Sequence, residues 1–368
     1  MKQDGGPLST THDIHDDDDD NLRDKIFAVA PMVEQSDKAF RLLCRKYGAN
    51  LCFTPMIHAR WFVQKKSHRQ KMWDFSAADR PLVAQFCGSN ADILLQAARL
   101  LEHQVDAIDL NCGCPTQVAK RGRFGAFLLP SGDFLVSIVW HLVQHLSCPV
   151  TVKVRLLPGP VDKSIALYRG LVDAGAAMLT IHGRTQAQKG VNTGPADWEA
   201  IRQVVHALGD RVPILANGNI SCFDDVRACL EYTGADGVMS SEAILEYPPN
   251  VFLPRADAPY RPGPGRLAIA REYLDLARQH PPEKGGGATS MQCQEMHLDT
   301  FLYEDWQSEE GQALRYTVRQ AKDGQDLYHI LDQVATIQNR NKHDAKAEQL
   351  SWYFRHRKND ENCADTSD

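Results

Sequence analysis

The chain has 368 residues, 43% hydrophobic and 24% charged, which is enough to bury a large core and excludes a wholly disordered chain. No run of about 18 apolar residues is present, which excludes a transmembrane helix, and the start lacks the pattern of a secretory signal. The net charge of −6 comes from the ends: residues 1–24 hold eight Asp against Lys2 and Arg23, and 359–368 hold four acids, so 25–358 is mildly basic.

Both acidic ends, 1–24 and 359–368, are expected to be disordered. A mildly basic body permits a nucleic-acid partner without requiring one. The ten cysteines form no CxxC pair, which argues against a zinc ribbon or a C2H2 finger. They fit reduced thiols in an intracellular protein, cytoplasmic or nuclear, with no membrane contact and no metal site expected.

From residue 26, short apolar or β-branched runs alternate with longer amphipathic stretches. The predicted strands are Ile26–Ala30, Leu51–Thr54, Leu82–Phe86, Ala107–Leu110, Val150–Val154, Met178–Ile181, Val212–Ala216 and Gly237–Met239. Between them lie helical patterns at Ser36–Tyr47, Ala91–His103, Ser164–Ala174, Trp198–Leu208 and Cys222–Tyr232, with Ser36-Asp37 and Asp224 as start signals. Eight such units fit a (β/α)8 TIM barrel over residues 25–250. A doubly wound open sheet is the alternative. Its dinucleotide-binding form needs a glycine-rich turn after the first strand, and Pro31-Met32-Val33 stands there instead. Residues 251–264 are rich in Pro and Gly and are predicted to form a linker. Helical patterns follow at Arg266–Gln279, Met291–Leu302, Glu310–Ala321 and Gly324–Asn339, with a loop at Pro281–Ser290. They predict a smaller helical domain over 265–358.

In such a barrel, function sits where the strands end. Pro31-Met32-Val33 follows the first strand and Thr54-Pro55-Met56 the second. Gln85 lies on the third, Asn111 after the fourth, and Lys153 and Arg155 on the fifth. His182-Gly183-Arg184-Thr185, Asn217-Gly218-Asn219 and Ser240-Ser241-Glu242 end the last three. Each has a plainer reading. Met32 alone reads as core, His182 as a core histidine or a ligand contact, and Arg155 and Arg184 as solvated or paired charges. Asn217-Gly218-Asn219 is either a simple turn or a donor of backbone N–H groups to a phosphate. Lys153 is different, because a lysine inside a barrel strand is costly to bury unless it meets an anion.

Cys114 is the sharpest candidate. In Asn111-Cys112-Gly113-Cys114-Pro115, Gly113 permits a tight turn and Pro115 stiffens the exit. A thiol there can act as an acid or a nucleophile. A metal pair Cys112/Cys114 is the competing idea, weak without further ligands at metal spacing.

Taken together, these motifs resemble the tRNA-dihydrouridine synthase family. The matching residues are Ala30-Pro31-Met32-Val33, Thr54-Pro55-Met56, Gln85, Asp109-Leu110-Asn111-Cys112-Gly113-Cys114-Pro115, Val152-Lys153-Val154-Arg155, Ile181-His182-Gly183-Arg184-Thr185, Ala216-Asn217-Gly218-Asn219-Ile220 and Ala235-Asp236-Gly237-Val238-Met239. They span about residues 26–245, in the family's order. Lys120-Arg121-Gly122, Gly125-Ala126-Phe127-Leu128 and Met239-Ser240-Ser241-Glu242 are most similar to the eukaryotic subfamily acting on D-loop positions 16 and 17.

The resemblance implies FMN as cofactor, NADPH or NADH as reductant and tRNA as substrate. Pro31, Met32 and Val33 would touch the flavin, and Gln85, Asn111 and Lys153 would bond its ring edge. His182, Asn217, Gly218, Asn219, Ser241 and Glu242 would line the ribityl and phosphate end, and Cys114 would be the general acid. Hydride would go to uracil C6 and a proton to C5, and a thiol of ordinary pKa, about 8.5, is mostly protonated at neutral pH. Glu242 departs from the arginine that many relatives carry there.

RNA contacts are expected from the loop Arg60–Lys71, with Lys65, Lys66, Arg69 and Lys71, and from a C-terminal stretch with Arg340, Lys342, Lys346, Arg355, Arg357 and Lys358 around Trp352, Tyr353 and Phe354. The alternatives are a dihydroorotate dehydrogenase-like flavoprotein and a tRNA-binding module without flavin.

Overall fold

The computed structural model describes residues 22–253, 265–281, 290–341 and Tyr353. Its strands are β1 (Ile26–Val29), β2 (Leu51–Phe53), β3 (Ile57–His58), β4 (Leu82–Cys87), β5 (Ala107–Cys112), β6 (Val150–Leu156), β7 (Met178–Thr185), β8 (Ile214–Asn217) and β9 (Gly237–Ser240). All pairings are parallel. β1 bonds to β2, β2 to β4, and the chain of neighbours runs on through β9 back to β1. Eight strands therefore close a TIM barrel, and the two-residue β3 lies outside the ring beside the end of β4. Every predicted strand is present.

The two-residue period of a strand sorts its side chains onto two faces. One parity points outward: Leu82, Ala84, Phe86, Ile108, Leu110, Val150, Val152, Val154, Leu179 and Ile181 join the large core between strands and helices. The other points inward. Ala28, Ala30, Phe53, Val83, Ala107, Met178, Leu215 and Met239 fill the lower barrel as a separate apolar cluster. Continuing up the same parity, the side chains turn polar: Gln85, Asp109, Asn111, Thr151, Lys153, Thr180 and Asn217, all buried. The barrel is thus dry at one end and polar where the strands end.

The outer layer is helical. Trp198–Leu208 has the predicted bounds, and Lys38–Lys46, Ala91–Arg99, Val161–Asp173 and Phe223–Thr233 match expectation within a few residues. The helices Ala59–Gln64, Lys66–Met72, Gln117–Gly122 and Gly132–His145 were not foreseen. The first two replace the loop expected at Arg60–Lys71. In the last, buried Leu135, Ile138, Val139 and Leu142 mark one face, but exposed Phe134 and Trp140 mask that period in the sequence.

Beyond the barrel, helices Arg266–Gln279, Met291–Phe301, Glu309–Val318 and Gly324–Asn341 pack onto it through buried Ile269, Tyr273, Leu298, Phe301, Leu327 and Leu331. A charged cluster under Lys38–Lys46 anchors them. Arg41, fully buried, pairs with Asp79 at 2.6 Å and donates to the carbonyl oxygens of Ser36 and Asp74. Lys38 meets Asp74 at 3.2 Å. Asp37 does not cap its helix through its side chain, contrary to the start signal. Its carboxylate turns away to His297 Nε2, 2.9 Å distant on helix Met291–Phe301, and accepts from the Tyr273 hydroxyl.

Two boundaries move. Leu22, inside the acidic end expected to be disordered at 1–24, packs against the core. Val251 and Phe252 are 0% and 2% exposed, so the first residues assigned to the linker belong to the core. The rest of that linker, most of the loop Pro281–Ser290, the tail 359–368 and the C-terminal basic residues from Lys342 onward lie outside the described residues.

Candidate active site

Strand register stacks the inward polar residues in tiers. Gln85, Asp109 and Thr151 are level; above them come Asn111, Lys153 and Thr180; above those, Arg155, His182 and Asn217. The lowest tier is a closed network. Thr151 Oγ1 donates to Asp109 at 2.6 Å, and Gln85 Nε2 donates to its other oxygen at 2.8 Å. Asn111 Nδ2 donates to Gln85 Oε1 at 2.8 Å. Asn111 Oδ1 in turn accepts from the main-chain N–H of Cys114 at 3.0 Å, which ties the Cys114 loop to the barrel floor. Burial pushes the Asp109 carboxyl up to about 6, against the pull of Thr151, Gln85 and Lys153.

The middle tier holds a buried cation. Lys153 Nζ donates to Asn217 Oδ1 at 2.8 Å, and Asn217 Nδ2 donates to the Met239 carbonyl oxygen. Burial first, and Arg155 second, push the Lys153 amine down to about 8. Thr180 Oγ1 beside it is buried without a hydrogen-bond partner among the described residues.

The upper tier opens into a cavity of about 270 Å³ lined by Arg155, His182, Arg184, Lys189, Asn217, Gly218, Asn219, Ser241, Glu242 and Tyr353. Arg155 donates to the carbonyl oxygens of Gly113, Thr185 and Gln188, and burial, then Arg184, pushes it down to about 10. His182 is driven well below its ordinary range by burial, with Lys153, Arg155 and Arg184 adding to it, so it is neutral at pH 7. Arg184 donates to Asn219 Oδ1 at 2.6 Å. Gly218 has φ +112°, and a Cβ there would lie 2.7 Å from that of Ala196, so the turn requires glycine. Asn219 follows in the left-handed region at φ 60°. This basic, polar cavity suits an anionic group more than an apolar ring.

Cys114 stands at the rim. Its sulfur is 3.3 Å from Thr116 Oγ1 and packs against the small cluster of Cys87, Ala119 and Phe124. It is near enough to Lys153 and Arg155 for a thiolate there to favour their charged forms. Cys112, two residues earlier, is fully buried on the outward parity, where burial raises its pKa well above the usual range. It reads as core. Among the described residues no group of three or more His, Cys, Asp or Glu could hold a metal, and no helix is long and apolar enough to cross a membrane.

The structure brings Gln85, Asn111, Lys153, Asn217 and Cys114 into one hydrogen-bonded region, and His182, Gly218, Asn219, Ser241 and Glu242 around the adjoining cavity. Glu242 is exposed at the cavity mouth. Pro31 and Met32 lie half-buried at the end of β1, whereas Val33 is 54% exposed. Sequence reasoning passed over Asp109 and Thr151, although two polar residues spaced by two inside a strand, Asp109 and Asn111, were the available signal. Arg155 and Arg184, expected as solvated or paired charges, line the cavity; their in-strand parity with Lys153 and His182 marks them as inward. Tyr353 has no local sequence signal for a cavity wall.

A profile described as "Dihydrouridine synthase (Dus)" matches residues 28–365. The chain belongs to the dihydrouridine synthase family. It is 46% identical over 255 residues, 69% of its length, to a Rattus norvegicus protein named tRNA-dihydrouridine(16/17) synthase [NAD(P)(+)]-like. It is 42% and 40% identical, over 68% of its length each, to the proteins named tRNA-dihydrouridine(16/17) synthase [NAD(P)(+)] of Saccharomyces cerevisiae and Schizosaccharomyces pombe. The resemblance read from the motifs is borne out, including the subfamily. The chain spans 56%, 60% and 63% of the lengths of these three relatives.

Proposed function

We propose that this dihydrouridine synthase reduces the C5=C6 bond of D-loop uridines, at positions 16 and 17, in tRNA, with FMN as cofactor and NADPH as reductant. The observation that carries the proposal is the placing of Cys114 at the rim and the buried Lys153 one strand over, beside an adjoining basic cavity. The residues present fit a flavin nucleotide. Lys153 and Arg155 are buried cations whose hydrogen bonds go to neutral oxygens, an arrangement that a bound anion stabilises. FMN, reduced by NADPH, would supply the hydride for uracil C6.

The chain's own residues do the rest. Lys153 would balance negative charge at the ring edge, and Gln85 and Asn111 would orient it through their amides. Arg155, His182, Arg184, Gly218 and Asn219 would hold the phosphate end, and Ser241 and Glu242 the mouth. Cys114 would hand its thiol proton to C5 from the rim, where Asn111 fixes its main chain. The target uridine must leave its stack to reach this point.

Dihydroorotate dehydrogenase-like chemistry on a free pyrimidine uses the same bond, and the relatives' names favour tRNA over it. A flavin-free binding module would have no use for Lys153 and Cys114. Purified protein is expected to be yellow and to oxidise NADPH in response to unmodified tRNA, not to orotate. The decisive test is mass spectrometry of tRNA from cells lacking the protein, with rescue by wild type and by Cys114→Ala. Unchanged dihydrouridine at every tRNA position would overturn the proposal.

A further inference from the structure

β3 pairs with the C-terminal end of β4, Ile57 opposite Phe86 and His58 opposite Cys87. That register sets the helix Ala59–Gln64 on the face where the barrel strands end. Trp61 on this helix is 43% exposed, and its indole is held in place. His58 stacks on it with ring centroids 4.5 Å apart, and His68 meets it edge-on at 5.7 Å. His58 Nδ1 and His68 Nε2 have no hydrogen-bond partner among the described residues, and their rings pack on the indole instead. Lys65, one helical turn on, places its ammonium 5.2 Å from the indole centroid. Arg60 and Lys66 are exposed beside it.

The structure thereby narrows the basic set expected at Arg60–Lys71. Arg69 is committed to the carbonyl oxygens of Phe62 and Val63, and Lys71 pairs with Glu34. The same patch touches the site. His58 meets Phe124 edge-to-face at 5.5 Å, and Phe124 belongs to the small cluster on which Cys114 packs. The exposed indole is therefore joined to the rim of the pocket by two aromatic side chains.

A lone exposed tryptophan is ordinary. A pre-positioned one, flanked by cations and joined to the place where a base must enter, is a platform for single-stranded nucleic acid. We propose that Trp61 stacks an unpaired base adjacent to the uridine drawn toward Cys114, while Arg60, Lys65 and Lys66 meet its phosphates. This rests on the reading of tRNA as substrate. A cation–π contact at an exposed site is weaker than a base–aromatic stack. An arriving base therefore displaces Lys65 from the indole and leaves its ammonium for a phosphate.

The test uses the full-length, flavin-loaded protein and two probes. With unmodified tRNA transcript, Trp61→Ala is expected to raise KM about ten-fold or more while kcat at saturating tRNA stays within about two-fold, and Trp61→Phe is expected to stay near wild type. NADPH-driven flavin reduction without RNA should be unchanged. With labelled oligouridylate against an abasic strand of equal length, wild type should prefer the base-bearing strand and Trp61→Ala should lose that preference. The binding arm remains informative even where no dihydrouridine forms, which would instead overturn the proposed reaction. Equal binding of both strands by wild type, or an unaltered KM in Trp61→Ala, would overturn the stacking role. So would loss of RNA-independent flavin reduction in that variant, since it would mark Trp61 as structural.

Discussion

Around Arg41, burial and charge are balanced. Its guanidinium and the Lys38 amine face the carboxylates of Asp79 and Asp74. Burial opposes the Arg41 charge, yet the two acids outweigh it and raise its pKa. At the strand ends, Lys153 and Arg155 are also buried, but their hydrogen bonds go to an amide oxygen and to main-chain carbonyls, and both pKa values fall. The first cluster is complete among the described residues, and Asp37 beside it bonds His297 and Tyr273 of the C-terminal helices. The second has no carboxylate in hydrogen-bond contact with Lys153 or Arg155 among the described residues, and an anion would complete it. Equal burial with unequal charge balance separates a structural site from a binding site.

Breaking the balanced cluster should have the largest effect. Arg41→Ala leaves Asp79 buried without its main partner and is expected to cost about 3–5 kcal/mol in urea unfolding. Lys153→Met removes a cation that hydrogen-bonds no carboxylate among the described residues, so the flavin-free protein should stay within about 1 kcal/mol of wild type. Equal losses in the two variants would erase the distinction.

Flavin removal sharpens it further. Saturation at one hundred times Kd stabilises a protein by about 2.7 kcal/mol. Thermal unfolding should therefore shift clearly between flavin-loaded and flavin-free wild type, and much less for Lys153→Met at the same FMN concentration. A further difference lies in pH dependence. The folded pKa of Lys153, about 8, lies below its ordinary 10.5, so between those values the unfolded chain binds the proton and the folded one does not. Stability of the flavin-free wild type should rise with pH across that window relative to Lys153→Met. A parallel course of the two curves would show that Lys153 is not desolvated.

Most of the barrel was legible because parallel strands buried on both faces read as mostly apolar, β-branched stretches, as Ile26–Ala30 does. The inward parity of Lys153 was legible too, since one lysine interrupts such a run. Helix Gly132–His145 was not, because Phe134 and Trp140 add apolar residues to its exposed face. Nor was the destination of Asp37. A side chain that looked like a helix cap bonds to His297, 260 residues away, and no local pattern encodes that contact. The cavity followed the same division: His182 and Asn217 were placed by their motifs, whereas Tyr353 enters from the far end of the chain.

The most direct test of Cys114 as the acid is single-turnover reaction of NADPH-reduced enzyme with unmodified tRNA, followed by mass spectrometry of the RNA, in wild type and Cys114→Ala. Flavin reduction should proceed alike in both, while dihydrouridine formation should slow by about 100-fold or more in the variant. Dihydrouridine formed by Cys114→Ala at the wild-type rate would contradict that role.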